Sequence, residues 1–202
     1  WMLETYSEVD KSLADLNGNT AEFRLSEDRA FIEAMNQQMA QTLFYGDTSV
    51  NPQQFMGLSS RYSSLSAGNA QNIIDGGGTG TDNTSIWLVV WGENTVHGTF
   101  PKGQKAGLQH QDLGEQTLTD PDGGKYQGYR THYKWDNGLT LRDWRYVVRV
   151  ANIDVSNLSD PSTAANIAKL MIRALHRIPN RGMGKPVFYM NRSVNEALDL
   201  QS

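Results

Sequence analysis

Two turn signals in the middle of the chain constrain its architecture most. Asp120 to Lys125 reads DPDGGK and Trp135 to Leu139 reads WDNGL, and both place residues that tolerate positive φ between runs of strand-forming side chains. They divide three candidate strands, about Gly114 to Thr119, Tyr126 to Trp135 and Leu139 to Ile153. Strands joined by tight reversals run antiparallel. Further strands are expected in the short apolar run NIID, around Ile86 to Trp91, in TVHGTFPKG up to Pro101, and in KPVFYMN.

Helical patterns bracket these strands. Phe31, Met35, Met39 and Leu43 recur every four residues, Ser26 is a suitable N-cap, Glu27 and Asp28 suit the positive end of a helix dipole, and Gly46 supplies a stop. This predicts a helix over 27–45 whose opposite face is rich in Gln and Asn. Before it, Asn17-Gly18 predicts the reversal of an extended arm over residues 1–25. Late in the chain, Ile167, Leu170, Met171, Ala174, Leu175 and Ile178 form an apolar helical face that Pro179 ends, and Asn191 or Ser193 can cap a last helix. The class expected is α+β.

Composition excludes several functions. The 202 residues carry 18 Lys and Arg against 22 Asp and Glu, a net charge of −4, so the chain lacks the overall basic field of a protein that grips phosphates. There is no cysteine, which removes disulfides, thiolate zinc sites and a cysteine nucleophile together. Nineteen glycines and a mean hydropathy of −0.54 indicate many turns and polar loops. Ile86 to Trp91, the longest apolar run, is too short to span a bilayer, and the N-terminus has no charged-then-apolar signal pattern. The chain begins at Trp1 and stops within a helical pattern, SVNEALDLQS, as an excised piece of a longer protein would.

Motifs for catalysis are weak. GGGTGTDNTS lacks the Gly-Lys-Ser/Thr ending of a phosphate loop and leads into a strand, so a flexible loop is expected there. DPDGG resembles the start of a calcium loop, but the acidic ligand toward its end is missing and Lys125 and Arg130 follow. His97, His110, His132 and His176 lie on separate segments without metal-ligand spacing. No G-x-S-x-G elbow supports a triad from Ser85, His97 and Asp112. Sugar chemistry stays open, because Trp87, Trp91, Trp135 and Trp144 with Asp112, Glu115, Asp136 and Asp143 are the residue types of a carbohydrate-binding or glycoside-active β-rich protein.

The segment YKWDNGLTLRDWRYVVRVANID concentrates aromatic and basic residues. Read as one strand from Leu139, it puts Asp143, Arg145 and Arg149 on one face and Arg142, Trp144 and Tyr146 on the other, so neither face is purely apolar. Arginine with Trp and Tyr is the composition of protein interfaces. Arg142, Trp144, Arg145 and Arg149 are therefore the subunit-contact candidates, and Asp136-Asn137-Gly138 is the expected hairpin turn.

The ordered segments NQQMAQTLFYGDTSVNPQQFMGLSSRY, DGGGTGTDNTSIWLVVWGENTVHGTFPKGQKAGLQHQDLGE, YQGYRTHYKWDNGLTLRDWRYVVRVANID and GKPVFYMNRSV resemble the major capsid proteins of tailed bacteriophages, in particular the epsilon-fifteen-like branch of short-tailed phages. The resemblance covers about Glu22 to Leu198. It implies the Hong Kong 97-type capsid fold, with a long spine helix, an antiparallel sheet and a mixed axial domain. Residues 1–25 would be part of an extended loop, 26–159 mainly the peripheral domain with its spine helix at 27–45, and 160–202 part of the axial domain. The family is longer at both ends, which implies a fragment. The implied function is a head protein that self-assembles into an icosahedral shell of pentamers and hexamers, a virion protein assembled in the host cytoplasm. Decoration, scaffolding and portal proteins are the other implied partners, and double-stranded DNA is an enclosed cargo whose sequence is not read. No catalytic residue, cofactor, metal or membrane is expected. The lysine-to-asparagine crosslink of some relatives has no residue-by-residue match here and is not assigned.

Overall fold

The structure, a computed structural model, describes residues 1–16, 18–160 and 164–201. In chain order its elements are β1 (Met2–Asp10), α1 (Lys11–Asp15), α2 (Thr20–Tyr45), α3 (Leu58–Arg61), β2 (Ile73–Asp75), β3 (Asn83–Trp91), β4 (Val96–Thr99), β5 (Leu108–Thr119), β6 (Lys125–Asp136), β7 (Gly138–Leu141), β8 (Val147–Asp154), α4 (Ile167–Leu175), β9 (Lys185–Tyr189) and α5 (Arg192–Gln201). They divide into two compact units, residues 1–58 with 98–138 and residues 59–97 with 139–202.

The first unit is built on the β5–β6 hairpin, whose reversal lies where DPDGGK placed it. The Asp120 N–H donates to the Gly124 carbonyl at 2.9 Å, and the Asp120 carboxylate accepts the N–H groups of Asp122 at 3.1 Å and Gly124 at 2.6 Å. Gly123 adopts φ +88, open to glycine at no steric cost. Pairing runs from Leu108 opposite Trp135 to Thr119 opposite Lys125, with a bulge between Asp112 and Glu115 where Gly114 has φ +70.

β1 adds antiparallel to the other edge of β6, with Glu4, Tyr6 and Glu8 opposite Lys134, His132 and Arg130. Arg130 pairs with Glu8 at 3.1 Å and lies over the Tyr6 ring, on which His132 also stacks. Opposite charges placed directly across a ladder fix its register as well as stabilising it.

Helix α2 runs along the same unit, contacting β1 and burying Asp28, Met35, Met39 and Thr42 as one stripe. It begins at Thr20, not at the cap expected at Ser26. Ala21 to Leu25 contain no glycine or proline, and serine inside a helix costs only a few tenths of a kcal/mol, so Ser26 is simply included. Asn19 precedes the first turn, and its side-chain amide donates to Glu22. The expected extended arm is a strand followed by a short helix, α1, capped by Asp10, whose carboxylate accepts from Ser12 and Leu13. Gly18 has φ +69, whereas Asn17, the other half of the expected turn, lies outside the described residues.

The second unit holds a mixed sheet. β3 pairs antiparallel with β8 along one edge and with β9 along the other, and β2 joins β8 in parallel, Ile73 opposite Arg149. The short strands β4 and β7 extend this sheet. A strand flanked on both edges and covered on both faces must be apolar along its centre, and Ile86 to Val90 are all buried. Ile86, Leu88, Val90, Val148 and Val150 pack with Ile167, Leu170 and Ala174 of α4 and Val194 and Ala197 of α5. Each fully buried aliphatic side chain of this kind contributes about 1.5–3 kcal/mol. Helix α4 ends at Leu175, before Pro179, yet Ile178 remains in the core. Asn191 rather than Ser193 caps α5, its Oδ1 accepting from the Val194 N–H at 2.8 Å.

Two strand expectations are corrected. Asn137-Gly138 does not close a hairpin: β6 pairs with β1 and β5, while β7 lies in the sheet with β4. A two-residue type I′ turn needs positive φ at both central residues, and neither Asn137 nor Gly138 has it. Nor is 139–153 one strand. It is broken into β7, a 3₁₀ turn at Trp144–Tyr146, and β8, so the alternation of faces read through Arg142 to Arg149 does not hold.

Candidate subunit-contact site

The 3₁₀ turn is made by Asp143. Its Oδ1 accepts the Arg145 N–H at 3.0 Å, and its carboxylate also takes the Arg145 guanidinium, Nη2 to Oδ2 at 2.7 Å. That hydrogen-bonded guanidinium holds the Asp143 carboxyl below the usual aspartate range. Both bonds are local, so Arg145 stays exposed while its headgroup is oriented. Arg142 comes just before the turn. Its N–H donates to the Thr95 carbonyl at 2.9 Å, and its exposed guanidinium reaches the Asn94 Oδ1 at 3.3 Å.

Beneath the turn lie two side chains that the sequence did not single out. The Tyr62 hydroxyl donates to the Trp144 carbonyl at 2.6 Å. Asn72, only 2% exposed, donates its Nδ2 hydrogens to the carbonyls of Arg145 at 2.9 Å and Val147 at 2.8 Å. Burial pushes the Tyr62 phenol pKa up, so it remains a donor. Both residues sit in polar, serine- and asparagine-rich text with no period to mark them, and only the folded chain brings them under the turn.

Arg149 is tied inward. Its guanidinium lies 5.2 Å from the centroid of the Trp87 ring, Nε donates to the Ser85 Oγ at 3.1 Å, and Nη1 donates to the Tyr62 carbonyl at 2.8 Å. It lines a cavity of about 480 Å³ with Tyr62, Ser64 and Asn152. The four candidates thus separate: Arg142 and Arg145 present charge to solvent, Trp144 is half-buried, and Arg149 serves the interior of its own unit.

The other chemical readings find their residues already engaged. Trp87 is 2% exposed, and the Trp91 indole N–H donates to the Tyr189 hydroxyl, so neither offers a free sugar platform. Asp112 pairs with Arg24, Glu115 with Lys11, Asp136 with Lys134 and Asp143 with Arg145. In the glycine loop, the Gly76 and Gly78 N–H groups donate to the carbonyls of Ala151 and Asn152, which leaves them unavailable to a phosphate. Among the described residues no cluster of three His, Asp or Glu side chains could hold a metal, and no helix is long and apolar enough to cross a membrane.

Comparison with known proteins identifies the setting. The family model described as major capsid protein GP7 matches residues 1–202. No curated protein sequence gives a match. Among solved structures, a chain of the near-atomic cryo-EM structure of bacteriophage Epsilon15 superposes with a TM-score of 0.69 at 36% identity, covering 100% of this chain and 62% of that one. The chain therefore spans less than two thirds of that relative's length. The shared architecture is the Hong Kong 97-type fold, and the family is one of virion structural proteins without enzymatic activity. With the family model matched from end to end and the fold shared with a phage protein, the chain belongs to the GP7 major capsid protein family of tailed phages.

Proposed function

We propose that the protein containing this chain is the subunit from which a phage head is built, assembling with copies of itself into pentamers and hexamers around double-stranded DNA. The observation that carries this is the family match over the whole chain. Shell assembly requires many weak, repeated contacts and no catalytic group, which suits a chain in which Asp112, Glu115, Asp136 and Asp143 are each paired with a cation. In this reading residues 1–25 belong to the extended loop, residues 26–159 form mainly the peripheral domain with α2 as its spine helix, and residues 160–202 are part of the axial domain. Arg142 and Arg145, exposed beside and on an ordered turn, are the contact residues of the original four. Scaffolding, portal and decoration proteins are further partners in such an assembly.

Electron microscopy of the full-length protein tests the reading. Closed shells or rings of five and six are expected. Monodisperse monomers across protein concentration and salt would overturn it.

A further inference from the structure

Charge is divided unevenly between the two units. Residues 1–58 and 98–138 carry eight Lys and Arg against fourteen Asp and Glu, whereas residues 59–97 and 139–202 carry ten against eight. Within the second unit the cations concentrate further. Between Asp160 and Glu196 the chain has no acidic residue at all, yet it contains Lys169, Arg173, Arg177, Arg181, Lys185 and Arg192, all exposed. None of the six is in an ion pair among the described residues. In the first unit, by contrast, Lys11, Arg24, Arg130 and Lys134 are each paired with a carboxylate, leaving the acidic excess unneutralised.

Helix α4 gives this basic segment a defined face. Ile167, Leu170 and Ala174 point into the core, while Lys169, Ile172, Arg173 and His176 follow i, i+3, i+4, i+7 spacing on the outward side. Ile172 is 57% exposed in the middle of that stripe. An isoleucine left in water between two cations contributes nothing to phosphate binding, which is made by the charges alone, whereas an apolar centre with a charged rim is how protein surfaces meet.

We propose that the outward stripe of α4, Lys169, Ile172, Arg173 and His176, is a contact surface for an acidic surface on a second copy of this chain. The partner is chosen by charge: the acidic excess that would complement the stripe is carried by the same polypeptide, so each copy supplies both halves of a repeating contact. Ile172 supplies the apolar anchor and the cations steer and orient the approach. The inference rests on the shell-forming reading above and names one of its contacts.

The test uses the full-length protein, comparing wild type with Lys169→Glu/Arg173→Glu, with the milder Lys169→Gln/Arg173→Gln, and with Ile172→Ser. All three substituted positions face solvent, so melting curves should match wild type, which separates association from folding. Sedimentation velocity across about 0.05 to 0.5 M NaCl should show assembly of the Glu variant falling roughly tenfold or more, the Gln and Ser variants falling less, and wild-type assembly weakening with salt. Folded Glu variants that assemble like wild type would overturn the proposal, as would a loss confined to binding of a duplex DNA probe with assembly intact. If wild type itself never assembles, it is the shell-forming reading that fails.

Discussion

Arg24 forks Asp112 from 88 residues away, Nη2 to Oδ1 at 2.6 Å and Nη1 to Oδ2 at 3.1 Å, fastening α2 to the bulged part of β5. The Arg24 hydrogen bonds, and after them the Gly114 N–H, hold the Asp112 carboxyl below its ordinary range. A folded-state pKa below the unfolded one gives stability that is present above the ordinary aspartate value of about 4 and lost as pH falls through the folded value. Thermal melts from pH 7 down to about 2.5 should therefore fall steeply at the acid end, and Asp112→Asn should start lower but slope less. Parallel curves would mean that the pair contributes nothing to acid sensitivity.

Asn72 is the buried support of the turn that carries Trp144 and Arg145. Asn72→Ala leaves the Arg145 and Val147 carbonyls without their donor, at a cost of about 1–3 kcal/mol. Asn72→Asp should be worse, since it aims a carboxylate at those carbonyls. Urea unfolding of the three proteins checks both the direction and the order.

Arg149 and Arg142 are the same residue type in adjacent segments and should behave oppositely. Arg149→Ala removes two hydrogen bonds and a cation over the Trp87 ring, for a loss of about 2 kcal/mol. Arg142→Ala, exposed and making one long contact to Asn94, should stay within about 0.5 kcal/mol. Arg149→Lys should recover little, because an ammonium cannot reproduce the planar fork. Denaturant midpoints measured side by side decide it.

Gly184 allows β9 to begin against β3. A Cβ there would stand 2.3 Å from the Trp91 carbonyl oxygen, backbone that cannot move aside cheaply, whereas a Cβ at Gly68 meets nothing within 4 Å. Gly184→Ala should lower stability by at least about 2 kcal/mol and Gly68→Ala should leave it unchanged or slightly raised. Thermal unfolding of the pair is the check; equal melting temperatures would mean that the strand start can shift.

What the sequence determined by itself was whatever depends on neighbours a few residues apart. The reversal at Asp120 to Gly124 was legible because its carboxylate, its carbonyl and Gly123 close it locally. The apolar face of α4 and the cap at Asn191 were legible for the same reason, and the ordered segments carried the family and its fold. Tertiary structure decided what depends on distant partners. Asn137-Gly138 has turn chemistry but passes the chain from one sheet to another, because β6 already has β1 and β5 on its two edges. The parallel pairing of β2 with β8, Ile73 opposite Arg149, joins residues far apart in the chain and leaves no local trace. Of the four contact candidates, the residue types alone could not separate Arg142 and Arg145 from Arg149. That separation came from Trp87, Ser85 and Tyr62, which the fold sets around one guanidinium and not the others, and burial of an arginine is set by such partners rather than by its own position in a pattern.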